Sequence, residues 1–175
     1  QEEFQNLFNR GSFKEVPEST ISMISYFIAL DNMKKNLVNW INDPLSQIDE
    51  KSYWYNQLQY FSAINLVKEK KLQAAEDLFE QIEKKDSTPD VIRRKAVLQR
   101  ARLLVTRQQY DEAEKLYSKY PFSGRVMGRV LFENAFVRYR SKDYSTALGM
   151  LKSLKAPFFE IATNPNQYIL SMMIF

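Results

Sequence analysis

The chain contains no cysteine and no histidine, which removes disulfides, thiol nucleophiles, thiolate or imidazole metal sites, and the commonest general base. Any chemistry would have to run on carboxylate, lysine, tyrosine or hydroxyl groups. Glycine and proline are scarce, at four and six in 175 residues. That is too few for the many tight hairpins of a sheet protein and suits long regular segments joined by short turns. No run approaches the roughly 20 apolar residues that a bilayer crossing requires, and Gln1-Glu2-Glu3 begins neither a basic nor an apolar leader. A chain without cysteine suits a reducing cytoplasm and an oxidising periplasm equally. The sequence has no initiator methionine and stops on an uncapped apolar run, Ser171-Met172-Met173-Ile174-Phe175. It therefore reads as a piece of a longer protein, one compatible with a removed signal peptide or a lipid anchor.

What is present is the composition of a folded protein, 45% hydrophobic and 26% charged with a net charge of +4. Its organisation shows when Ala75, Ala113 and Ala147 are superposed, at offsets of 38 and 34 residues. Three positions before each alanine stand Leu72, Tyr110 and Tyr144. Three and four positions after stand Leu78-Phe79, Leu116-Tyr117 and Met150-Leu151, followed by Ile82, Tyr120 and Leu154. This spacing gathers the side chains on one helical face. Twelve residues upstream of each alanine lies a second small residue, Ala63, Ala101 and Ala135, inside a preceding helical stretch. Each unit is therefore a helix pair, in which small residues let two backbones approach while large ones fill the space to the next pair.

Turn chemistry divides the chain in the same places. Thr88-Pro89-Asp90 offers a hydroxyl cap, a proline at the first helical position and an acid in the first turn, and Asn164-Pro165-Asn166-Gln167 repeats the pattern with a capping box. Tyr120-Pro121 and Ala156-Pro157 end the second helices of their pairs, because the residue before proline is pushed out of the helical region. The expected helices are roughly 51–69, 72–85, 90–107, 110–119, 124–140, 143–154 and 166 onward.

Residues Ala63, Leu66, Leu72, Ala75, Phe79 and Ile82, then Ala101, Leu104, Tyr110, Ala113, Tyr117, Tyr120 and Pro121, then Ala135, Tyr144, Ala147, Leu151, Leu154 and Pro157 together resemble tetratricopeptide repeats over about residues 53–157. The resemblance implies an all-α fold, an α-solenoid of antiparallel helix pairs winding in a right-handed superhelix. The repeats would occupy about 53–87, 91–121 and 125–157, with the first helix of a further repeat over 165–175. Two departures from the family pattern stand out: Lys70, Gln108 and Lys142 occupy the tight turn where the family uses glycine, and the first repeat carries four extra residues. More narrowly, Tyr144 to Phe159 resembles repeat-containing envelope proteins of deltaproteobacteria, some associated with gliding motility. That likeness implies a bacterial scaffold that is periplasmic or associated with the envelope.

Residues 1–50 are less regular and read as an irregular helical extension or cap on the repeats of 51–175. A short amphipathic helix, Glu2 to Asn9, is closed by Gly11. A longer one, Ser19 to Ile41, breaks before Pro44 and presents Ile21, Ile24, Phe27, Ile28, Leu30 and Met33 as an apolar face. A membrane-surface helix would need a basic polar face, which this stretch lacks.

In the family the first helix of each pair lines a concave groove. Carried over, the lining is Gln57, Tyr60, Ile64, Val67 and Lys68; Lys95, Leu98, Arg102, Val105 and Thr106; and Arg129, Phe132, Phe136, Tyr139 and Arg140. Such an aromatic groove with basic edges favours an acidic and hydrophobic helix or extended peptide. The plainer reading makes several of the apolar members core between repeats. Tyr60 and Ile64 stand where the family's carboxylate-clamp subset uses other residue types, which argues against recognition of chaperone C-termini.

Ten arginines and lysines, Arg93, Arg94, Lys95, Arg100, Arg102, Arg107, Arg125, Arg129, Arg138 and Arg140, crowd one region with few acids. A positive patch there would attract acidic protein, anionic lipid or nucleic acid, with Tyr110 or Tyr139 as a stacking ring in the last case. The bland alternative is a solvated helix face. Carboxylate pairs such as Asp86 with Asp90, or Asp49 with Glu50, fall at turns and first helical positions where capping accounts for them. With no glycine-rich phosphate loop and no metal-ligand cluster in the sequence, the expectation is a non-enzymatic protein-interaction scaffold without cofactor or metal. The alternatives are a structural spacer, or a module that self-associates through its C-terminal apolar edge.

Overall fold

The computed structural model describes residues 17–35, 48, 50, 52–119, 125–156 and 165–174. Among these the chain is all-helical: α1 (Glu18–Lys34), α2 (Tyr53–Lys68), α3 (Leu72–Lys84), α4 (Asp90–Thr106), α5 (Tyr110–Lys119), α6 (Arg125–Arg140), α7 (Tyr144–Ser153) and α8 (Pro165–Ile174), with no strand. Six of the expected helices agree with these bounds to within two residues at each end, and α8 starts one residue early. The expected helix at Glu2–Asn9, the caps at Tyr120-Pro121 and Ala156-Pro157, and the Asn164 cap rest on residues outside those described. The chain divides into two compact units, Gln1–Ala96 and Val97–Phe175, and α4 runs across the division.

In the first unit α2 and α3 form a closely packed pair and α1 lies on α2. Ala63 of α2 and Ala75 of α3 are fully buried, as are Leu58, Phe79, Ile82 and Ile92. Each such large side chain contributes about 1.5–3 kcal/mol by leaving water. Ser52 caps α2 by accepting the Tyr55 amide at 3.1 Å. Buried Asn56 ties the start of α2 to the turn before α4: it donates to the Ser52 carbonyl at 3.1 Å and accepts the Thr88 hydroxyl at 3.3 Å. Asp90, in the first turn of α4, meets Arg94 one turn on at 2.7 Å.

Helix α1 corrects the sequence reading. It spans Glu18–Lys34, and residues 36–41 of the expected stretch lie outside those described. The side chains it buries are Ser22, Ser25, Ala29 and Asn32, whereas Phe27 is 55% exposed. Small residues win this face because they let the α1 backbone approach closely. Ala29 then packs with Leu58 and Ile48. The large rings go round the edge, where Tyr26 lies 4.8 Å from Trp54 and 5.9 Å from Phe61.

The second unit repeats the logic. Leu98, Ala101 and Leu104 of α4 form one core cluster with Ala113 and Tyr117 of α5 and Val130 and Val137 of α6. Ala135 of α6, Leu151 and Leu154 of the α7 end and Leu170 of α8 form a second, flanked by half-buried Phe132, Phe136 and Tyr139. Ala147 is fully buried.

The three turns between paired helices share one geometry. Lys70, Gln108 and Lys142 adopt positive φ of 61°, 62° and 65°. In each case the next amide reaches back across the turn, from Lys71 to the Leu66 carbonyl, Gln109 to Leu104 and Asp143 to Arg138, all at 2.9 Å. The left-handed residue's own amide bonds Val67, Val105 or Tyr139 at 3.0 Å. This closure satisfies the last carbonyls of the first helix. The following helix then opens with Ala75, Ala113 and Ala147 donating to Lys71, Gln109 and Asp143, each at 3.1 Å. Asp143 also accepts the Thr146 amide at 3.2 Å. Hydrogen bonds from Thr146, reinforced by Arg138, hold its carboxyl below the usual carboxylate range.

Candidate functional site

Helix α6 supplies the densest set of expected partner-binding residues. At about 100° per residue, Arg129, Phe136 and Arg140 fall on one line along the helix, with Phe132 and Tyr139 on its flank. Arg129 and Arg140 are exposed, and the three rings are half-buried against the core formed by Leu151, Leu154 and Leu170. The Arg140 guanidinium lies over two rings, 5.4 Å from the centre of Tyr110 and 6.0 Å from that of Phe136. Tyr139 in turn lies 5.9 Å from Tyr144. Such stacking restrains a long side chain while its charge stays wet.

Arg102 and Leu98 are differently placed. Leu98 is buried in the core with Ala101 and Leu104. Arg102 forms a two-pronged ion pair with Glu133, Nε to Oε2 at 2.9 Å and Nη2 to Oε1 at 2.7 Å, and the Tyr117 hydroxyl donates to the same carboxylate at 3.1 Å. Burial pushes the Tyr117 phenol far above its ordinary range, and the neighbouring Glu133 carboxylate pushes the same way. Val105 is half-buried against the same core, and the exposed Thr106 hydroxyl donates to the Arg102 carbonyl at 3.0 Å.

Several further cations of the arginine-rich region also have internal partners. Arg138 is held between Glu114 and Asp143, the latter at 3.0 Å. Arg93 donates to the carbonyls of Lys85, Asp86 and Thr88 at 3.3, 3.3 and 3.1 Å. Lys95 and Arg129 remain exposed, and the Arg125 side chain lies outside the description.

In the first unit the Tyr60 ring is half-buried, 5.8 Å from Phe61 and 5.7 Å from Phe79. Ile64 and Val67 are half-buried and Lys68 is exposed. Gln57 is buried and donates to the Tyr53 hydroxyl at 2.9 Å.

Sequence reasoning passed over Glu133, the residue that decides the state of Arg102. A signal was present, since Glu133 is the one acid in a helix carrying four arginines. Among the described residues no group of acids could hold a metal ion, and no helix is long and apolar enough to cross a membrane. No family model, curated protein or solved structure matches the chain.

Proposed function

We propose that the three helix pairs are tetratricopeptide-type repeats and that the chain is a non-enzymatic scaffold gripping a peptide or helix of a partner protein. The carrying observation is the α6 stripe, where half-buried Phe132, Phe136 and Tyr139 lie beside exposed Arg129 and Arg140. Aromatic anchors half-sunk in a rigid helix give contact area with little ordering cost, and free guanidinium forks select carboxylates. Tyr60, Ile64, Lys68 and Lys95 are the corresponding positions of the first unit in this reading.

Panning a displayed random-peptide library against the chain tests it. The peptides recovered should be acidic and hydrophobic, and their binding should fall at least about tenfold on Phe136→Ala or Arg140→Glu, variants whose helicity is checked by circular dichroism. Recovery of the same peptides, undiminished, on both variants would remove α6 from the binding surface.

Self-association is a second reading, favoured by α8. Tyr168, Ile169, Met172 and Met173 are all more than half exposed while Leu170 is buried, so this uncharged helix shows an apolar face to water. Light scattering across concentrations decides: a dimer that Met172→Lys with Met173→Lys disperses supports it, and a strict monomer does not.

A further inference from the structure

Resting on the α6 binding face just described, we infer that its occupant is a helix bearing two carboxylates eleven residues apart, with apolar side chains between them. Arg129 and Arg140 are eleven positions apart on α6. At about 100° and 1.5 Å per residue they sit within about 20° of one another and about 16 Å apart, three turns along one face. Phe136 lies on the line between them and Phe132 beside it, so the face runs positive, aromatic, positive.

The acid of the same helix does not spoil this pattern. Glu133 lies at the edge of the line, but both its oxygens are engaged by Arg102 and one also by Tyr117. Arg138, the other described arginine of α6, is held by Glu114 and Asp143. Among the described arginines of α6, the two left facing outward are therefore the pair with matching rotation. Arg140 is already stacked on Tyr110 and Phe136, which lowers the ordering cost of receiving a carboxylate.

The spacing selects a helical occupant. A helix lying along α6 repeats the same rise and rotation, so acids at i and i+11 meet both guanidiniums while residues at i+4 and i+7 face the rings. In an extended strand, side chains on one face recur every two residues, about 7 Å, so the repeats nearest the arginine spacing fall at about 13 Å and about 20 Å along the chain. Neither distance matches about 16 Å.

Helix-constrained, fluorescein-labelled peptides against the full chain test the inference by anisotropy. One carries Glu at i and i+11 with Leu at i+4 and i+7, a second has the same composition with its acids at i and i+5, and a third replaces Glu by Lys. The first should bind at least about tenfold tighter than the second and weaken as salt rises. Arg129→Glu and Arg140→Glu should each weaken it about tenfold, and the double variant should prefer the Lys peptide, a gain that only a folded protein can show. Equal affinity for the two acidic spacings overturns the inference. If both then lose affinity on Phe136→Ala, the α6 face stands without the spacing; if neither responds to Phe136→Ala, the face fails as well. Tighter binding of a single-stranded oligodeoxynucleotide, lost in Arg129→Glu, would overturn it in favour of a nucleic-acid surface.

Discussion

The Arg102 guanidinium grips the Glu133 carboxylate with two nitrogens, at 2.9 and 2.7 Å, joining α4 to α6 across 31 residues of sequence. With side chains 32% and 22% exposed, the pair is partly shielded from water, so loss of the shared carboxylate is felt by both of its donors. Glu133→Ala should lower stability by about 1–2 kcal/mol, since Arg102 and the Tyr117 hydroxyl both lose their acceptor. Replacing both charges together, as Arg102→Met with Glu133→Leu, should recover most of the loss. Urea midpoints of the single and paired variants measure this, and a Glu133→Ala midpoint equal to wild type would show the pair to be inert.

Tyr117 beside that pair gives an alkaline signature. Burial first, and the Glu133 carboxylate second, raise its folded-state pKa, with Arg102 opposing. Below about pH 10 the phenol is neutral in both folded and unfolded chains and contributes no pH dependence. Above that, the unfolded chain releases the proton and the folded one does not, so stability falls as pH rises through and beyond the unfolded value. Absorbance near 295 nm should show one tyrosine ionising only as the helices melt, and Tyr117→Phe should abolish that late step. A late step that persists in Tyr117→Phe would assign it to Tyr26 or Tyr55, whose pKa values burial also raises.

The parts legible from sequence were those written in short-range periodicity. Ala63, Ala75, Ala101, Ala113, Ala135 and Ala147 are all fully buried, because a small residue recurring among large ones at helical spacing has few other uses. Glu133 escaped notice because its partner sits on another helix, and no local spacing encodes that meeting. The α1 face was misread for a different reason. Its apolar residues are the face that the sequence pattern marks for burial, and hydrophobicity alone does not signal the close packing that buries Ser22 and Asn32 and leaves Phe27 outside. Among the candidate site residues, Leu98 and Arg102 share the helical face with true surface positions, and only the neighbouring helix decides which are covered.

Gly149 offers a test free of packing. It sits within α7, exposed, and a methyl group added there meets nothing within 4 Å. Gly149→Ala removes unfolded-state freedom without strain and should raise stability by about 0.5–1 kcal/mol. A higher urea midpoint with unchanged slope is the expected result, and a lower one would show that this helix end is not helical in solution.

The three left-handed turns should respond alike to glycine. Lys70, Gln108 and Lys142 hold φ of 61°, 62° and 65°, a region that crowds any side chain's Cβ against the backbone and that glycine enters freely. Each turn is closed by the same 2.9 Å backbone hydrogen bond, which none of the substitutions touches. Glycine relieves the crowding but adds freedom to the unfolded chain, so Lys70→Gly, Gln108→Gly and Lys142→Gly should each stabilise by about 0.5–1 kcal/mol. A β-branched residue should act oppositely, with Gln108→Val destabilising by about 1–2 kcal/mol. The turns share no residue, so the triple glycine variant should approach the sum of the single effects. Thermal and urea unfolding of the four glycine variants provide the measurement. A loss of stability at any one position would mean that its turn is not left-handed in solution and that its helix pair is joined differently from the other two.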